Sequence, residues 1–127
     1  MKSYRNESWK TFDLADCNFE KEETQISNYG RVLKKKKGDE EFKLKKNRII
    51  NKFETFLYLN SNNKIRSYSV HRAVAFLFLF LDKKEGQKFV IHKNHDLTDN
   101  FYENLKWVNE KELTAHQISN PKIIVKF

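Results

Sequence analysis

Residues 90–108 read V-I-H-K-N-H-D-L-T-D-N-F-Y-E-N-L-K-W-V, and this stretch decides the fold. Two short apolar runs flank a loop rich in Asn and Asp. That pattern predicts two strands, over residues 88–92 and 105–108, with His92 at the end of the first. The period-two rule puts Phe89 and Ile91 on one face and Val90 on the other. Just downstream, Asn109 precedes Glu112 by three residues, the spacing of a capping box at a helix start. The helix should run over residues 110–118 and stop at Asn120-Pro121. The order is strand, loop, strand, helix. Residues 122–127 read as a short terminal strand or a tail.

Upstream, V-H-R-A-V-A-F-L-F-L-F-L spans residues 70–81. Val70, Val74, Leu77 and Leu81 fit a helical stripe, which Ala73, Phe76, Phe78 and Phe80 broaden. A helix apolar on most sides belongs in the middle of a domain, so residues 70–81 are expected to form a central helix ended by D-K-K-E-G. Residues 53–59 and 65–70 form a hairpin around the turn cluster of residues 60–64. Short strands at residues 24–26 and 31–33 flank Ser27-Asn28-Tyr29-Gly30, where Asn and Gly tolerate a turn with positive φ. In residues 1–23 only Trp9, Phe12, Leu14 and Phe19 offer core anchors.

A chain of 127 residues forms one domain, or two small modules packed as one. Apolar residues make up 39%, with eleven Phe, enough for a modest core. A formal charge of +8 with 33% charged residues points to a polyanion as partner. One Cys excludes an intramolecular disulfide and a Cys-rich zinc site. The apolar run of residues 74–81 is far short of the ~20 residues a membrane span needs, so no membrane partner is expected. The N-terminus has no signal-peptide pattern. Together these readings predict a soluble, intracellular protein. Abundant Lys, Asn, Ile and Phe with few Gly and Pro suggest an AT-rich coding genome, as in a phage, a virus or an organelle. Oligomeric state is not legible.

In this setting E-N-L-K-W-V and V-H-R-A-V-A resemble the core of HNH homing endonucleases. His92, Asn100, Glu103, Asn104, Leu105 and Trp107 fall in the family's register. The segment I-S-N-Y-G-R-V, with Trp9 upstream, is similar to the β-rich module that precedes the core in that family. The resemblance implies an α+β fold. A small β-rich module, residues 1–66, would contact nucleic acid and join through the central helix to a ββα HNH-like (His-Me finger) core, residues 67–127.

The resemblance also implies a chemistry. Phosphodiester hydrolysis needs a base to activate water and a cation to stabilise the phosphorane and the leaving oxygen. His92 would be the base, and Asn104 would orient its ring. Leu105 and Trp107 would be core residues. The family carries Asp or Asn before the His and Asn in the following helix as metal ligands, where this chain has Ile91 and Leu113. Neither has an oxygen, and hard cations need oxygen ligands. No metal ligand and no cofactor are therefore expected. If the nuclease is active, magnesium or another divalent cation would be held by relocated groups such as Asn94, His95, Asp96, Asp99 or His116. His92, His95 and His116 form a candidate zinc set. His95 stands at the family's Gly, so a positive φ there would strain it or change the loop.

Nucleic-acid contacts are expected from Asn28 and Arg31 in the turn, from Lys34, Lys35, Lys36 and Lys37, and from Lys43, Lys45 and Lys46. Arg72 has two readings, a phosphate contact or a support for the loop after His92. His71, at a helix start, reads as structural. The first functional reading is a nucleic-acid-binding protein on an HNH homing-endonuclease scaffold, its nuclease activity weak or lost. The alternatives are an active metal-dependent DNA endonuclease and an RNA-binding subunit of a ribonucleoprotein such as an organellar ribosome.

Overall fold

A computed structural model describes residues 1–121. The C-terminal stretch of residues 122–127, expected as strand or tail, lies outside the described residues. The chain is α+β. A first antiparallel sheet runs in order β1 (Trp9–Thr11), β2 (Glu22–Ser27), β3 (Val32–Lys36), β4 (Lys43–Lys45). A second contains β5 (Arg48–Ile50), β6 (Phe53–Leu59) and β7 (Ile65–Ser69). Helix α1 (Val70–Phe78) follows, then the hairpin of β8 (Phe89–His92) and β9 (Leu105–Val108), then α2 (Glu110–Ile118).

The core forms where α1 meets the sheets. Val70, Ala73, Val74 and Ala75 are fully buried against Phe12, Ile26, Phe56, Leu105 and Trp107 in one cluster. The Phe12 ring meets Phe56 and Tyr68 edge-on, each at 4.9 Å between centroids. On the other side of α1, Phe76 meets Trp107 in a T-shaped contact at 4.8 Å. This cluster draws on both halves of the chain.

The Lys run continues β3 as far as Lys36 because E-E-T lies opposite. Glu22 pairs with Lys36, Glu23 with Lys35 and Thr24 with Lys34 in the ladder. The Glu22 carboxylate itself turns to Lys34 Nζ at 3.1 Å, and Glu23 accepts from Thr11 Oγ1 at 3.0 Å. At α2, Asn109 Oδ1 accepts from Glu112 N at 2.8 Å and Asn109 N donates to Glu112 Oε1 at 3.1 Å, a complete capping box. No helix among the described residues is long and apolar enough to cross a membrane.

Two expectations need correction. The central helix ends at Phe78, not residue 81, because Leu79 leaves the helical region at φ −125°. Residues Phe80–Asp82 form a 3-10 turn, and Leu81 is 98% exposed. An F-L-F-L run is apolar all round, so its periodicity marks no end. Phe19 is exposed and anchors nothing in the core.

Candidate active site and nucleic-acid interface

The backbone register of β8 and β9 sets His92 opposite Leu105 and turns its ring inward, where the residue is 2% exposed. His92 Nε2 lies 2.8 Å from Asn100 Oδ1. The amide orientation is fixed by its other end, since Asn100 Nδ2 donates to the Glu54 carboxylate on β6. An accepting Oδ1 requires the proton on Nε2, which leaves the lone pair of the neutral ring on Nδ1. The ring also packs against His71, 5.0 Å between centroids, and His71 stacks on Phe53.

Burial governs the charges here. Burial, followed by repulsion from the charge His92 would carry when protonated and from the Arg72 cation, pushes the His71 pKa from its ordinary 6.5 to about 4. Burial also lowers His92, against the opposing pull of Asn100, Asp99 and Asp96. Glu54 moves up through burial, although hydrogen bonds from Asn100 and Asn47 oppose this. Neutral imidazoles fill the site at neutral pH.

Asn104 does not orient His92; that role falls to Asn100. Asn104 ties the loop together instead. Its Oδ1 accepts from Asn94 N at 3.1 Å, and its Nδ2 donates to Asn94 Oδ1 at 3.0 Å and to Asp99 O at 2.8 Å. The 3-10 turn Tyr102–Asn104 points the side chain back at the loop start. Asn100 was visible in the motif register, but nothing in the spacing said which Asn faces the ring. Glu54 was missed; its one signal is a lone acid inside an apolar strand.

His95 takes φ 62°, the left-handed conformation that favours Gly. Its ring stacks on His116 at 3.9 Å and 13°. His116 Nε2 donates to the His92 carbonyl at 2.8 Å. The candidate zinc set is therefore not assembled, since each of His92 and His116 turns its Nε2 to a protein oxygen. Among the described residues no three His, Cys, Asp or Glu side chains converge as a metal site. Ile91 and Leu113 are half-buried on β8 and α2. Two hydrocarbons at the ligand positions do not fit a divalent cation. In the loop, Asp99 is bonded by Asn94 Nδ2, and Asp96 accepts from Thr98 N and Oγ1.

The expected contact residues divide sharply. Asn28 is buried, accepting from Ser8 N at 3.0 Å and donating to Asn6 O at 3.2 Å. Arg31 forms a forked ion pair with Glu7 and lies 4.0 Å over the Tyr4 ring. Lys34 is 9% exposed, with Nζ 2.8 Å from Leu57 O and 3.1 Å from Glu22. These three are engaged in hydrogen bonds and ion pairs within the fold. Arg72 donates to Lys88 O at 3.2 Å, bracing the entry to β8 rather than the loop after His92. Lys35 is half-buried, with its ammonium 5.9 Å from the Phe42 ring centroid. Lys36, Lys37, Lys45 and Lys46 are exposed, and Lys43 is exposed with a loose 3.9 Å contact to Asp39. This ribbon supplies free positive charge.

The turn docks onto the ββα loop. Tyr102 N donates to Asn28 O at 2.9 Å, and Tyr29 lies 4.5 Å from the Phe101 ring. Gly30 has φ 83°, and a Cβ there would sit 2.7 Å from Asn100 Cβ. The turn therefore buttresses the partner of His92.

No protein-family model matches the chain. An uncharacterized HNH endonuclease of Acanthamoeba polyphaga mimivirus is 32% identical over 113 residues, covering 88% of this chain and 30% of the relative. A solved structure described as DNA binding and cleavage by the HNH homing endonuclease I-HmuI superposes with TM-score 0.69 and 26% identity, covering 93% of this chain and 62% of that one. The chain thus spans less than two thirds of either relative.

Proposed function

Because the chain belongs to the HNH homing-endonuclease family, we propose that it binds nucleic acid and keeps the nuclease scaffold without the nuclease activity. One observation carries this reading: His92 is 2% exposed, behind an Ile91 that has no oxygen to offer a cation. A general base must reach both the water it activates and the phosphate. At 2% exposure the His92 ring is shielded from both, and it forms part of a buried Glu54–Asn100–His92 chain joining β6 to the loop.

Binding rests on the exposed Lys ribbon of β3, β4 and the turn between them. Each phosphate a Lys neutralises releases condensed counterions, so affinity is sequence-independent and falls steeply with salt. DNA is the partner printed for the structural relative, and it is the partner assigned here. Supercoiled plasmid incubated with the protein and magnesium, manganese or zinc should be retarded on a gel but neither nicked nor linearised. Ile91→Asp with Leu113→Asn should give partial cleavage at best, abolished again by His92→Ala. Metal-dependent cleavage by the unaltered protein that disappears in His92→Ala would overturn the reading.

A further inference from the structure

The two N-terminal sheets do not close on each other. Between β3–β4 on one side and β6–β7 on the other lies a cleft of about 460 Å³. Lys21, Lys36, Lys45, Lys46 and Arg48 line it, and among the described residues none of the five forms a salt bridge. The one acid on its wall, Glu22, is already paired with Lys34 at 3.1 Å, and that pair also stitches the sheets through Leu57 O and Leu59 N. The cleft is therefore positive along its rim. Its floor is apolar, made by Leu57, Tyr58, Leu59 and Ile65. Ile65 is 67% exposed at the open end of this floor.

Charge on the rim and hydrocarbon on the floor suit one kind of polyanion. Phosphates would meet the Lys and Arg side chains, and the flat faces of bases would rest on Leu59 and Ile65. In a duplex those faces are stacked on neighbouring pairs and cannot reach a floor. In a single strand they can, and positively charged grooves with apolar or aromatic platforms bind single strands without sequence preference. We propose that this cleft is a binding site for single-stranded nucleic acid, separate from the His92 site. The inference rests on the nucleic-acid-binding reading above and deepens it. Strand separation near a duplex contact would deliver such a segment to the cleft.

The test compares a 20-nucleotide single strand with the same sequence as duplex, by fluorescence anisotropy at fixed salt. Two variants probe the cleft: Ile65→Glu, which places a carboxylate on the floor, and Lys21→Glu, which reverses one rim charge. Both positions are exposed, and circular dichroism at increasing temperature reports whether each variant folds. The expected result is single-strand binding at least as tight as duplex binding. Ile65→Glu should weaken the single strand tenfold or more and the duplex less than twofold. Lys21→Glu should do the same to a smaller extent, and it alone decides the matter if Ile65→Glu does not fold. Duplex binding without single-strand binding, or equal losses for both, overturns the cleft and leaves the proposed function standing. Binding of neither form overturns both.

Discussion

The turn of residues 27–31 and the ribbon of residues 35–48 carry the same kinds of side chain, yet the fold uses them in opposite ways. In the turn, Asn28 and Arg31 satisfy buried backbone and a buried carboxylate, and Gly30 allows backbone to touch Asn100. In the ribbon, Lys36 and Lys37 at the end of β3 and Lys45 and Lys46 at the end of the edge strand β4 are exposed to solvent. A polar residue next to a core is drawn into hydrogen bonds because leaving it unpaired costs more than pairing gains. A Lys on an edge strand is under no such demand, and there it also discourages sheet-to-sheet pairing. The turn is therefore the place to test folding, and the ribbon the place to test the proposed binding.

The largest effect that would break this division is at Gly30. A Cβ must adopt φ 83° and also displace Asn100 Cβ from 2.7 Å. Left-handed strain costs about 1–3 kcal/mol and overpacking a similar amount. Gly30→Ala should therefore lower stability in urea by about 3–4 kcal/mol. A neutral result would mean that the turn does not press on the partner of His92.

A similar effect, reached only in acid, belongs to the buried imidazoles. The folded chain holds His71 near pKa 4, whereas the unfolded chain has its ordinary 6.5. Between those values the unfolded state binds the extra proton, so stability falls as pH drops through 6.5 and the loss is complete below about 4. That displacement corresponds to about 3 kcal/mol. His92, displaced the same way, adds to the loss, while Glu54, held high by burial, opposes it in acid. His71→Phe should flatten the pH dependence of the denaturation midpoint between pH 7 and 4. An unchanged profile would place the acid sensitivity elsewhere.

The ββα order was legible because each piece carries a local signal: alternating apolar residues, an Asn/Asp loop, and an Asn–Glu cap whose two bonds both form. The same pattern put His92 at the end of a strand, where the structure has it, with Ile91 before it on β8 and Leu113 on α2. What escaped the sequence were matters of partner choice. Asn100 and Asn104 are chemically identical, and only the 3-10 turn between them decides which meets the imidazole. Lys34 looks like its three neighbours, yet strand alternation turns it toward Glu22 and Leu57 O while Lys35 lies over Phe42. The same alternation could have flagged Lys34, had the strand been extended beyond Leu33. Glu7 lies far from Arg31 in sequence, and no pattern announces the pair.

The smallest expected change in stability is the one that sharpens the comparison most. Lys36, Lys37, Lys45 and Lys46 touch no core residue through their charged ends, so replacing all four with Ala should leave the thermal midpoint nearly unchanged, within about 0.5 kcal/mol for each site. Binding should respond strongly. Each phosphate contact contributes about 0.9 to the slope of log affinity against log salt on duplex DNA, so losing four would flatten that slope by about 3–4. Arg31→Ala makes the opposite case: it leaves Glu7 buried without its partner, and should destabilise the fold while the salt slope of the remaining folded protein stays the same. The two variants, measured by the same salt titration and the same melt, should fall in opposite corners. If the quadruple variant keeps its slope, the ribbon is only a solvated edge. If Arg31→Ala loses slope instead of stability, the turn contacts the phosphates after all.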